Sequence, residues 1–290
     1  LITAGATCLY PPPIASQADA DQFSVCPTVT GDITIATNVA GNIKIDGPKV
    51  IEGNLISAQC LPASNCSGMK SLSSSTLQTI NADFSLQGIE NLTSIDFPAL
   101  ETVQNLIWLD LISLETVSFD AGLGNATGGT IHMEGMSALQ NLSGLTFTQI
   151  DYLSLQTGPL TDLTLRVQET SELFNVGGDG NLNLDISALK STSSLTIFGC
   201  SQVNLEAFTT CANVDFEQNT FSSLSMPEFV SSIYTYLTIG DNADLTSLSL
   251  PGVQNLDTLW IWGNPELVNI DGFSTLTVVE DVKVSGNFSQ

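Results

Sequence analysis

Two groups of side chains in this sequence combine residue types and spacings that could do chemistry. Trp260 and Trp262 alternate along Leu259-Trp-Ile-Trp262, so in an extended chain both indoles leave one face, about 7 Å apart, as a stacking platform for a sugar ring. The plainer reading is that the pair packs beneath a loop, a neighbouring lobe or a glycan, the more frequent fate of aromatic side chains. The second group joins Trp108 and His132 to Asp110 and Glu134. With their segments side by side, the two carboxylates stand one strand apart, about 5 Å, a separation suited to a retaining glycosidase. A solvated acidic face explains the same pair, and divalent-cation binding is a third reading.

Other reaction chemistry finds no support. His132 is the single histidine, so a Ser-His-Asp system could form only around it, and no Gly-x-Ser-x-Gly accompanies it. There is no phosphate loop and no His-Glu-x-x-His motif. Secreted β-helix hydrolases and lyases of wall polysaccharides use Gly-His-Gly with Arg-x-Lys, or an arginine base near calcium-binding aspartates. Here His132 sits in Ile-His-Met and Arg166 in Leu-Arg-Val. The expectation is a protein without catalytic residues, metal or cofactor.

These side chains are positioned by a repeat. Alternating apolar pairs recur as Ile33/Ile35, Ile43/Ile45, Phe84/Leu86, Ile107/Leu109, Ile131/Met133, Leu153/Leu155, Phe174/Val176, Leu195/Ile197, Val214/Phe216, Leu237/Ile239, Leu259/Ile261 and Val282/Val284. From Phe84 onward the spacing is 19 to 24 residues, too short for a strand-plus-helix unit. Period-two alternation turns each pair inward, Gly-Asp-Asn or Gly-Asn-Pro makes a corner, and later Leu and Ile residues return the chain to the core. The predicted fold is all-β: a right-handed parallel solenoid of leucine-rich coils, each about 22 residues long. In register, one outward column reads Ser85, Trp108, His132, Ser154, then Thr196, Asp215, Thr238, Trp260, Lys283. The other reads Gln87, Asp110, Glu134, Gln156, then Phe198, Glu217, Gly240, Trp262, Ser285.

A solenoid needs covers at its ends. Residues 1–26 are expected to form an N-terminal cap, with a Cys pair, Pro11-Pro12-Pro13 and a short helix begun at Ser16-Gln-Ala-Asp19; residues 27–290 form the solenoid. Between Leu55 and Phe84 the period lapses, which reads as a stapled insertion. A two-lobed version would divide near 157–172.

Six cysteines fall into three local pairs, read as disulfides Cys8–Cys26, Cys60–Cys66 and Cys200–Cys211. Sequons at Asn65, Asn91, Asn125, Asn141 and Asn287 fit the same oxidising secretory route and predict attached N-glycans. Thirty acidic residues against six basic ones, a net charge of −24, repel phosphate backbones and exclude nucleic acid as a partner. No apolar run reaches 18 residues, so no membrane span is expected.

The segments Gly31-Asp-Ile-Thr-Ile35, Leu72-Ser-Ser-Ser-Thr-Leu77, Asp83-Phe-Ser-Leu-Gln-Gly-Ile89, Leu92-Thr-Ser-Ile-Asp-Phe-Pro-Ala-Leu100, and Gly272-Phe-Ser-Thr-Leu276 through Val284-Ser-Gly-Asn-Phe288 resemble the fungal GPI-anchored cell-wall organisation glycoproteins and their sporulation-specific relatives. Their coils in turn look like the receptor L domain. The resemblance implies an extracellular protein of the cell wall and outer face of the plasma membrane, anchored by GPI and free of catalytic activity. Its implied work is wall organisation and integrity, through wall glycans or wall and surface proteins. The alternative is a β-helix enzyme acting on wall polysaccharide.

Overall fold

The computed structural model describes residues 8–58, 68–124, 128–286 and 288. Its strands pair in parallel with segments one coil away in sequence, giving a parallel β-solenoid of about 11 turns with about 22 residues per turn. Two compact units divide the chain: residues 1–147 with 156–158, and residues 148–155 with 159–290.

In the first unit, Thr79–Gln87, Thr102–Leu109 and Thr130–Met136 lie side by side in a front sheet, with Phe84 opposite Leu106 and Leu106 opposite Ile131. A second sheet runs through Ala40–Lys44, Gly68–Ser73, Ser94–Asp96, Thr116–Leu123 and Asn141–Leu145. Alternation puts every second side chain inside, where Phe84 meets Phe97 edge-on at 5.2 Å between centroids. The lapse of period after Leu55 is an enlarged coil: Leu55 still pairs with Phe84, and Leu72 pairs with Ile43 and Ile95. The Cys60–Cys66 pair expected there lies outside the described residues.

The cap closes the first coil. Cys8 and Cys26 are joined, Ile14 bridges Ile35, and Ala20 and Phe23 are fully buried. The helix Gln17–Ala20 starts after Ser16, whose hydroxyl donates to Asp19, and Asp19 in turn accepts the Ala15 N–H. The Gln17 amide then mimics a strand: it donates to the Lys44 carbonyl at 2.9 Å and accepts the Lys44 N–H at 2.8 Å. That clasp occupies backbone groups that an edge strand would leave free to pair with another chain.

In the second unit the front sheet runs Glu169–Asp185, Ser194–Asn204, Asn213–Glu217, Tyr236–Gly240, Asn255–Trp262 and Val278–Val284. Phe174, Leu195, Val214, Leu237, Leu259 and Val282 are in register across it. Among the described residues no strand pairs with the far side of Val278–Val284, and Val278, Val282 and Val284 are 48%, 54% and 36% exposed. Val282 and Val284 thus depart from the buried state expected of an inward pair.

Seven front strands turn left-handed at one corner position: Gly88, Asp110 and Gly135 in the first unit, Gly199, Gln218, Asp241 and Gly263 in the second; Gly135 and Gly199 lie within Thr130–Met136 and Ser194–Asn204, and the others directly follow their strands. The residue after the corner points inside. In the first unit it is apolar, as in Ile89, Leu111 and Met136. In the second it becomes a ladder of buried amides. Asn219 accepts the Cys200 N–H, Asn242 accepts the Asn219 N–H, and Asn264 accepts the Asn242 N–H, at 2.9 to 3.0 Å. Their Nδ2 groups donate to the carbonyls of Ile197, Phe216 and Ile239. Corner backbone groups that would be buried without partners are therefore paired.

Cys200 occupies the first position of that ladder, and this corrects the expected Cys200–Cys211 bridge. Cys211 lies three residues before Val214, at the other end of the strand, so the two thiols are roughly 20 Å apart along the sheet, far beyond disulfide reach. Both are free and buried, and burial pushes each thiol up to about 12. Among the described residues no helix is long and apolar enough to cross a membrane.

Candidate functional site

The outward columns of the second unit's front sheet form as their spacing predicts. Thr196, Asp215, Thr238, Trp260 and Lys283 pair across successive strands, as do Phe198, Glu217, Gly240 and Trp262. The two tryptophans are half-buried and differ in what surrounds them. Lys283 Nζ sits 4.0 Å from the Trp260 ring centroid, and Trp260 Nε1 donates to Asp281 at 3.1 Å, so a cation and a carboxylate already hold this ring. Trp262 instead lies across Gly240, where any side chain would collide with the indole. On its other flank the rings, Val282, Lys283, Val284 and Ser285 line a depression of about 510 Å³.

Phe198 repeats the Trp262 arrangement: its ring lies across Gly177 in the space a Cβ would fill. Asp215, between Thr196 and Thr238, has one oxygen buried without a hydrogen-bond partner. Burial first, and the Glu217 charge second, raise its carboxyl to about 6. Phe198, Asp215 and Glu217 stood in the predicted columns without being singled out. The signal that marks Phe198 is a glycine directly opposite an aromatic, the same pairing that Gly240 makes with Trp262.

The group around Trp108 does not assemble. Trp108 faces inward and is fully buried, because Leu106 and Trp108, rather than Ile107 and Leu109, are the inward pair of that strand. The corner explains the shift. Gly88, Asp110 and Gly135 are the left-handed corners of successive coils, and two positions back from each lies an inward side chain: Leu86, Trp108 and Met133. Counting back from Asp110 identifies Trp108 as core, whereas the apolar character of Ile107 and Leu109 points the other way.

Asp110 is consequently a corner residue at φ 56°, beyond the strand; its N–H donates to the Glu134 carbonyl at 2.9 Å. Glu134 pairs in register with Leu109, and its carboxylate reaches His132 Nε2 at 3.3 Å. The expected pair of facing carboxylates from Asp110 and Glu134 is replaced by a histidine–glutamate contact on one strand. Among the described residues no three His, Cys, Asp or Glu side chains come together as a metal-holding group. Asn91 and Asn141 are exposed, on the approach to and the first residue of strands in the second sheet of the first unit, while Asn65, Asn125 and Asn287 lie outside the described residues.

The chain is similar to curated fungal proteins, among them two named ecm33. The chain is 29% identical over 247 residues to protein ecm33 of Aspergillus fumigatus, covering 84% of the chain and 60% of that protein. It is 22% identical over 243 residues to the cell wall protein ecm33 of Schizosaccharomyces pombe, covering 81% of the chain and 55% of that protein. The chain therefore spans little more than half the length of these relatives. No protein-family profile matches it, and no solved structure does.

Proposed function

Starting from its kinship with the fungal Ecm33 cell-wall proteins, an extracellular, wall-located group, we propose that this chain is a non-enzymatic organiser of the wall that binds wall glycans through the Trp262 end of its second unit. One observation carries the reading. Trp262 is seated on Gly240 with an open depression of about 510 Å³ on its other flank, and Lys283 and Ser285 there supply donors for sugar oxygens. The second unit's front sheet suits bridging, since each strand from Ser194–Asn204 to Asn255–Trp262 pairs with a neighbour on either side and the ligand-facing columns are fixed by register. The proposal includes N-glycans on Asn91 and Asn141 and, from the resemblance, a GPI anchor joining the whole protein to the membrane. The non-enzymatic part draws support from Asp110 and Glu134, which do not face one another across a substrate-sized gap.

The test is binding of the purified protein to β-glucan, chitin and mannan oligosaccharides, with released reducing ends assayed in the same samples. Saturable binding that falls about tenfold in Trp262→Ala, and less in Trp260→Ala, is expected. Absence of glycan binding would leave protein partners as the route to wall organisation, and release of reducing ends would overturn the non-enzymatic reading.

A further inference from the structure

Farther along the same sheet, three neighbouring strands share an arrangement that the Trp262 reading does not use. Asn175, Thr196 and Asp215 pair directly across the strands Glu169–Asp185, Ser194–Asn204 and Asn213–Glu217, so Asn175 and Asp215 straddle Thr196 at a separation of about 10 Å. Two residues beyond Thr196 on the same outward face stands Phe198, half-buried and lying across Gly177. Asn175 Oδ1 and Asp215 Oδ1 are both buried without a hydrogen-bond partner, although the other end of the Asn175 amide donates to Ser154 at 3.3 Å. Native proteins rarely leave buried acceptors unmet, and two of them in one outward column, on either side of the strand that carries an aromatic ring, need donors from outside the fold.

We propose that Phe198, Asn175 and Asp215 form a second saccharide subsite, which takes one pyranose unit of a neutral oligosaccharide. The C–H face of the sugar rests on Phe198, and its hydroxyls donate to the Asn175 carbonyl and the Asp215 carboxylate, each turning about its soft terminal torsion. The ligand is neutral because Asp215 and Glu217 together repel anionic sugars. This inference rests on the reading of the sheet face as a glycan-binding surface and adds a position and a pH dependence to it.

The pH dependence follows from the acceptor role, since a hydroxyl donates best to an ionised carboxylate. Burial, and then Glu217, hold the Asp215 carboxyl up to about 6. The flanking strands present Thr196 and Phe198 on one side, Thr238 and Gly240 on the other, none of them charged. Lys283 stands three strands away, where it covers Trp260 and approaches Asp281 at 3.7 Å. Among the described residues Glu217 is thus the one charged neighbour facing Asp215, and affinity rises as pH passes through about 6.

The experiment is calorimetric titration of the intact chain with laminarihexaose, chitohexaose and mannohexaose at pH 5 and pH 7, alongside Phe198→Ala, Asp215→Asn and Trp262→Ala, each checked for folding by its thermal transition. For the hexasaccharide that binds, affinity should be severalfold higher at pH 7 than at pH 5. Phe198→Ala should weaken it about tenfold, Asp215→Asn should abolish the pH difference, and Trp262→Ala should preserve that difference. Binding that depends on Trp262 but is indifferent to Phe198→Ala and Asp215→Asn would overturn this subsite and leave the proposed function standing. No binding of any hexasaccharide would overturn both. Calcium binding lost in Asp215→Asn, with sugar binding unchanged by it, would assign the carboxylates to a cation and overturn the subsite.

Discussion

Trp108 stands edge-on to Phe84 inside the first unit, with ring centroids 5.3 Å apart and an angle of 83° between planes, and it packs on its other side toward Phe119 at 6.2 Å. Its indole Nε1 is buried without a partner. The residue is therefore part of the core that holds the coils together, and its polar atom is a small liability within it.

Trp108→Ala should destabilise the first unit by about 3–5 kcal/mol, as expected for emptying an aromatic site in a packed core. Trp108→Phe should cost much less, because it keeps ring contacts and removes an unpaired N–H. Urea unfolding followed by tryptophan fluorescence and circular dichroism measures both. A Trp108→Ala protein as stable as the parent would contradict the inward placement.

The amide ladder makes a second prediction. Asn242 accepts from the Asn219 backbone and side chain and donates to Phe216 and Asn264, so Asn242→Leu strands several buried groups at once. A loss of about 3 kcal/mol or more is expected, larger than for Leu at an exposed corner such as Gln218. Hydrogen exchange should show the loss of protection concentrated at the Asn219 and Asn242 amides.

Asp215 gives stability a pH dependence of definite sign. Its folded carboxyl titrates near 6, above the value of an unfolded aspartate, so the native state binds the extra proton and loses stability as pH rises from about 4 to about 6. Asp215→Asn should match the parent at pH 4 and exceed it at pH 7. Two pH units correspond to about 3 kcal/mol; the side chain is partly open to solvent, so screening reduces this to about 1 kcal/mol. Thermal unfolding at the two pH values reads the difference directly, and equal midpoints at pH 7 would count against the buried carboxylate.

Cys200 and Cys211 should behave as silent thiols. With both raised to about 12, neither forms thiolate at pH 8, so alkylation of the native protein should miss them and alkylation in denaturant should modify both. Peptide mapping that recovers them joined to each other would refute the separation across the sheet.

Much of this protein was legible in its residues taken in order. The period of 19 to 24 residues, the inward alternation of pairs such as Leu237/Ile239, and the paired Cys8 and Cys26 carry the parallel solenoid and its stapled cap, because each rests on local geometry that repeats or on neighbours close in the chain. The Trp260/Trp262 face was legible for the same reason.

Register was decided by the tertiary structure. Where Leu106, Ile107, Trp108 and Leu109 are all apolar, composition allows either alternation, and the choice falls to the left-handed corner at Asp110 stacking on its neighbours at Gly88 and Gly135. That stacking buried Trp108, moved Asp110 out of the columns and dissolved the carboxylate pair with Glu134. It also set Cys200 and Cys211 toward opposite ends of two neighbouring coils, and left Phe198 on Gly177 beside two unpaired acceptors. A coil's own sequence specifies that it turns, but which side chains it shows to the outside depends on the hydrogen bonds it makes with the coils above and below, and a slip of one residue exchanges the two faces.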